Sequence, residues 1–295
     1  MQIALTFLLA LVPALIWGYV FYTKDPVYRP KALQSFLLGI SSVAPILFYK
    51  WTWNILPEVS VFHYTDQITA DLFAFTPHLF LPVGSVLAFM FVGVIEEYMK
   101  NLVVRRADRG FFRNIDDAIE FSILAALGFS FFENILYLQA IWAAQGTETM
   151  FTSFLFRGVF STFAHILFSG IFGYYYGLAY FAEPIWAEEQ RSKRHPLVNF
   201  FHTVLHMKSN RVFSVEMHTL GLFFAVSLHA SFNLLLEMGF TGFLVPFLVL
   251  GYGFLDHLFQ KKENLKAYGY LVGEESPAHL HNMFWQKLPR FKKLA

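Results

Sequence analysis

Glu96, Glu97 and Lys100 close an apolar run that ends VIEEYMKN, and each is an ionisable group where a lipid-soluble helix would be expected. A carboxylate can take a proton from water and return it to a leaving group. A lysine three or four residues further on shares its helix face, so Lys100 can pair with Glu96 or with Glu97. The two acids stand about 100° apart around a helix axis, so one can point at a given centre while the other reaches it from the side. Three later apolar runs carry comparable groups: Glu133 with Asn134 in LGFSFFENILYL, His165 in AHILFSGIFGYYYG, and His229 with Asn233 in SLHASFNLLLE. Asn233 lies one turn beyond His229, and the two can face the same way.

Two histidines and a carboxylate form a ligand set familiar from catalytic zinc, which takes three protein ligands and keeps its fourth position for water. The chain has no cysteine, so disulfide and thiolate chemistry are excluded and any metal must be held by His, Asp or Glu. Glu96 or Glu97 would then suit the part of general base. Asn233 would suit a hydrogen bond to the oxyanion of a tetrahedral intermediate. The reaction class these groups imply is hydrolysis of a peptide bond inside the membrane. Each group also has a plainer use, as an interhelical hydrogen bond or a structural ion pair. Four runs each contributing one such group make a shared site the better explanation.

The elements that must position these groups are transmembrane helices. Of 295 residues, 56% are hydrophobic, 19% aromatic and only 15% charged, with a mean hydropathy of +0.47; ordinary globular domains carry about 25% charged residues. A helix needs about 20 apolar residues to cross the hydrocarbon core. Seven runs qualify: 2 to 22, 32 to 49, 79 to 103, 118 to 141, 151 to 181, 216 to 238 and 240 to 259. The first lacks a basic start and a small-residue cleavage site, and it reads as a retained helix. Alternate connections hold 20 of the 22 Lys and Arg residues. Such one-sidedness predicts an all-α polytopic bundle of about seven spans, its N-terminus outside and its C-terminus cytoplasmic. Residues 1–260 would form the bundle and 261–295 a cytoplasmic tail.

Depths follow from a rise of 1.5 Å per residue: His165 and His229 fall near mid-membrane and Glu97 somewhat toward the cytoplasmic end. Arg157, a cation inside the fifth run, reads as a snorkelling or paired residue. Asp116, Asp117 and Glu120 open a helix, where acids favour the N-terminal dipole. HTVLH, with His202 and His206, has helical ligand spacing but no evident third ligand. Aromatic segments lack interleaved basic residues, which leaves nucleic-acid binding unsupported. Intramembrane Glu, His and Lys also build proton relays, so a proton-coupled transporter is a second reading. A non-catalytic membrane scaffold of the same fold is a third.

EEYMK at 96–100, LGFSFFENILY at 127–137, HILFSGIFGYYYG at 165–177 and HASFN at 229–233 together resemble the PrsW family of bacterial intramembrane metalloproteases, related to the CAAX-prenyl endopeptidases. The likeness spans roughly residues 90 to 240. It implies a helical-bundle protease of the bacterial cytoplasmic membrane in which Glu97 or Glu96 activates water, aided by Lys100. It further implies that Glu133, His165 and His229 hold a divalent metal, zinc being the expected ion. The substrates implied are single-span membrane proteins embedded in the lipid bilayer, with anti-sigma factors cleaved in stress signalling as the example. Asn233 stands where PrsW-like relatives often carry aspartate and prenyl-protein endopeptidases asparagine. Glu133 replaces the histidine expected in the prenyl-endopeptidase branch.

Overall fold

Without water to satisfy backbone N–H and C=O groups, a chain in lipid must bond them internally, and long helices do so. The computed structural model describes residues 2–22, 29–68, 71–76, 79–107, 112–183, 185 and 209–264. It is built of helices α1 (Gln2–Tyr22), α2 (Arg29–Ser41), α3 (Ala44–Ile55), a short α4 (Val61–Thr65), α5 (Val83–Ala107), α6 (Ile115–Phe156), α7 (Thr162–Tyr180), α8 (Ser209–Glu237) and α9 (Leu244–Asn264). A single antiparallel hairpin, β1 (Asp71–Thr76) with β2 (Leu79–Pro82), precedes α5. Most of the 183–214 connection, with HTVLH, and the tail beyond Asn264 lie outside the described residues.

Five helical stretches are long and apolar enough to cross a membrane: Gln2–Val20, Arg29–Ile55, Ile115–Tyr180, Asn210–Glu237 and Thr241–Phe259. The third is 66 residues long, far beyond the roughly 20 that one crossing needs. α5 falls outside the set because Glu96, Glu97 and Lys100 interrupt its apolar run. The surface is apolar where lipid would touch it: Leu15 and Ile16 on α1 and Val249 and Leu250 on α9 are all more than 60% exposed. Glu96, Glu97 and Lys100 of α5 are buried instead. This reverses the arrangement of a water-soluble domain and suits a protein dissolved in lipid.

Three boundaries depart from the sequence expectation. The run expected to be helical from 79 begins as strand β2, and helix starts only at Val83, after Pro82; a short apolar run does not by its composition distinguish strand from helix. The span from 32 to 49 is two helices. The Ser41 and Ser42 hydroxyls donate to the carbonyls of Leu38 and Gly39 at the end of α2, and Pro45 opens α3. Finally, residues 142–150, expected as a connection, are helical. Gly146 alone interrupts them with a φ of +86°, a left-handed conformation that glycine adopts without a Cβ clash.

α6 and α7 form the centre, with α1 and α2 packed on α6 and α8 on α7. The start of α6 is fixed by Asn114, whose Oδ1 accepts from the Asp117 N–H at 2.9 Å, while Asp117 Oδ2 accepts from the Arg113 N–H at 2.7 Å. Between α6 and α7 lies a single π-helical turn, Arg157–Ser161. The helices approach closely at Gly173, where a Cβ would stand 2.6 Å from Ile119 Cα. Small residues permit such contacts between membrane helices. Gly173→Leu is therefore expected to lower the melting temperature of the detergent-solubilised protein, at a cost of about 1–3 kcal/mol. Gly242→Leu, where nothing lies within 4 Å of a Cβ, should leave it unchanged.

Candidate metal centre

The buried charges of α5 meet the first turn of α7, at His165, and the last third of α8, at His229. Glu96, Glu97, Lys100, His165 and His229 are each at most 7% exposed. Glu97 Oε1 accepts from Lys100 Nζ at 2.7 Å, one helical turn along, and from His229 Nδ1 at 2.7 Å. Lys100 also donates to His165 Nδ1 at 3.0 Å. An ammonium only donates, so His165 Nδ1 is an acceptor and its ring proton sits on Nε2. From there it is donated to Glu133 Oε2 at 3.0 Å. His229 has a carboxylate on each side: beyond the bond through Nδ1, its Nε2 faces Glu96 Oε2 at 3.4 Å.

One ligand atom from each of Glu97, His165 and His229 lies within 4.8 Å of the other two. Glu133, expected in the ligand set, is not in this group; it stands behind His165 and pairs with Arg157 Nη2 at 3.0 Å. Asn233 lies one turn beyond His229, half-buried, with no hydrogen bond among the described residues. Aromatic rings pack the imidazoles in place. Phe129 lies 5.5 Å from His165 and Phe168 5.6 Å from His229, and the two imidazoles meet edge to face at 5.2 Å. The Lys100 ammonium sits 4.2 Å above the Phe129 ring, where the ring's quadrupole favours a cation. One turn further along α5, Asn101 Nδ2 donates to His218 Nε2 at 2.9 Å and braces α5 against α8.

The donor set fits a divalent cation. One carboxylate and two imidazoles are a common zinc triad, and a cation, the Lys100 ammonium, already contacts two of the three members. Glu96 Oε2 is buried with no hydrogen-bond partner. That oxygen faces His229 Nε2 at 3.4 Å.

Residues 29–255 match the family described as PrsW family intramembrane metalloprotease. The chain belongs to the PrsW family. Similar proteins include Protease PrsW of Oceanobacillus iheyensis, 28% identical over 249 residues covering 81% of this chain and 87% of the relative. Protease PrsW of Geobacillus kaustophilus is 30% identical over 55% of this chain and 61% of its own length, and that of Shouchella clausii is 30% identical over 60% and 70%. No solved structure matches. As a PrsW-family member, the chain is an integral membrane protease whose substrates are membrane proteins in a lipid bilayer.

Arg157 is the residue whose reach the sequence least revealed: apart from Glu133, it donates through Nε to Asn134 Oδ1 at 3.0 Å and stacks 3.9 Å above the Tyr137 ring. Its signal in the sequence is that it is a cation inside the apolar run 151 to 181. For Lys100, burial beside Glu97 sets the expectation. Lys100→Met strands a buried carboxylate and should destabilise the detergent-solubilised protein by about 3–5 kcal/mol, whereas Lys100→Arg should cost less; denaturant unfolding monitored by tryptophan fluorescence distinguishes them.

Proposed function

We propose that Glu97, His165 and His229 hold a divalent metal, most simply zinc, and that Glu96 serves as general base in the hydrolysis of a peptide bond within a single-span membrane protein. The observation that carries this reading is the convergence of three buried ligand atoms from α5, α7 and α8 within 4.8 Å. A bound ion of this kind supplies Lewis acidity, which makes water a competent nucleophile at neutral pH. The chain's own residues supply the rest. Glu96, adjacent in sequence to a ligand and with Oε2 unpartnered, is free to accept a proton from the attacking water and hand it to the leaving amine. Lys100 offsets the charge of Glu97 and keeps it ionised beside the imidazoles. Asn233, half-buried and without a partner among the described residues, is placed to donate to the developing oxyanion.

A single-span substrate follows from the setting: the centre is enclosed by helices, and a scissile bond must reach it as an unwound segment entering from lipid. Anti-sigma factors of regulated proteolysis in the bacterial cytoplasmic membrane are the substrate class we infer. The transporter reading has no comparable support, since the family is one of proteases.

The test is cleavage of a single-span anti-sigma-factor-like protein by the purified enzyme in detergent, with metal content measured in parallel. Glu96→Gln should retain metal and lose about 10²–10⁴-fold in rate. Glu97→Ala, His165→Ala and His229→Ala should lose both metal and activity. A chelator should abolish cleavage and added zinc restore it. Full activity in His165→Ala, or in protein stripped of metal, would rule the reading out.

A further inference from the structure

The mechanism above leaves two part-buried charged groups unused, Glu133 and Arg157. They join the middle of α6 to the π turn through a continuous chain of hydrogen bonds. Asn134 Nδ2 donates to Thr162 Oγ1 at 3.2 Å, and Asn134 Oδ1 accepts from Arg157 Nε at 3.0 Å. Arg157 Nη2 donates to Glu133 Oε2 at 3.0 Å, and the same oxygen accepts from His165 Nε2 at 3.0 Å. Ser130 Oγ donates to Thr162 Oγ1 at 3.2 Å and closes the base of the chain. Two faces of the guanidinium are thereby fixed, by the paired acceptors on one edge and by the Tyr137 ring beneath it. A π turn inserts an extra residue into a helix and is found disproportionately at functional sites. Here it puts Arg157 on the same side as His165, eight residues further along.

We propose that Glu133 is a positioning residue and not a metal ligand: clamped by Arg157 from the π turn, its carboxylate holds His165 with the proton on Nε2, so that Nδ1 is presented to the metal site. This rests on the reading of Glu97, His165 and His229 as the ligands. A carboxylate that accepts the distal N–H of a ligating histidine fixes the ring's orientation and raises its basicity, and its loss costs about 10–100-fold in metal affinity. The geometry is of that kind. Glu133 lies on the Nε2 side of the ring, and Nδ1 lies on the side of Lys100 and Glu97. Arg157 in turn bonds the same Glu133 oxygen that accepts from His165 Nε2, which ties the carboxylate to the π turn.

Charge alone predicts a different pattern, which makes Arg157 the decisive position. Removing a nearby positive charge would tighten the binding of a cation; removing a clamp weakens it. The experiment titrates zinc, by chelator competition, into the purified full-length protein in detergent, comparing wild type with Glu133→Gln, Arg157→Gln, Arg157→Lys and the Glu133→Gln/Arg157→Gln double variant, with His165→Ala as reference. The expected result is one zinc per chain in the first five, with affinity weakened about 10–100-fold in Glu133→Gln and in Arg157→Gln. The double variant should be little worse than either single one, because the pair acts as a unit. Arg157→Lys should recover part of the loss, and it also decides the matter if the glutamine variant does not fold. Zinc loss in Glu133→Gln as complete as in His165→Ala, or unchanged or tighter binding in Arg157→Gln, would overturn the proposal. A second readout needs no metal. In ¹⁵N-histidine-labelled wild type, the His165 proton should be found on Nε2 and protected from exchange, and Glu133→Leu should expose it. A proton on Nδ1 in the wild type would refute the clamp. Wild type that binds no zinc yet shows the protected Nε2 proton would refute the metal reading alone.

Discussion

A carboxylate withdrawn from water into helix-packed, lipid-surrounded protein must be met by opposite charge or by hydrogen-bond donors, or it will not stay ionised. Glu97 meets that requirement through Lys100 and His229, which both donate to its Oε1. The cluster as a whole holds three carboxylates, Glu96, Glu97 and Glu133, against two fixed cations, Lys100 and Arg157. Phe129 and Phe168 pack its two imidazoles in place. The hydrolytic reading rests on the ligand atoms of Glu97, His165 and His229 that converge there within 4.8 Å.

The helices serve that cluster in a definite division of labour. α5 brings Glu96, Glu97 and the lysine, α7 brings His165 from its first turn, α8 brings His229, and α6 provides Glu133 and the wall against which α7 is pressed at Gly173. The outer surface of α1 and α9 is left to Leu, Ile and Val, which lipid solvates as well as protein does. Membership of the PrsW family places this arrangement among intramembrane metalloproteases.

Much of this was legible in the sequence because membrane helices are written in long apolar runs and because charged residues within such runs are costly. The limits of α1 and the end of α8 follow from composition, and the five polar positions on α5, α7 and α8 stand out by type alone. The pairing of Lys100 with one of two glutamates was expected from spacing; that the partner is Glu97 depends on rotation of α5 about its axis, which its neighbours set. Glu133 belongs to the ligand set that the family resemblance implies, and whether it faces the centre or stands behind His165 depends on the crossing of α6 and α7. Its pairing with Arg157 was hidden by the break at Gly146, whose left-handed backbone interrupts the helical periodicity between the two. The hairpin at 71–82 was hidden because its apolar residues continue directly into those of α5.

The central claim is that Glu97, His165 and His229 share one metal ion. Anomalous diffraction at the zinc absorption edge, from crystals of the zinc-loaded protein, measures this most directly. The account predicts a single strong peak in contact with a Glu97 carboxylate oxygen, His165 Nδ1 and a nitrogen of His229, with Glu133 still bonded to Arg157. A peak ligated by Glu133 in place of Glu97, or active protein with no peak between α5, α7 and α8, would contradict it.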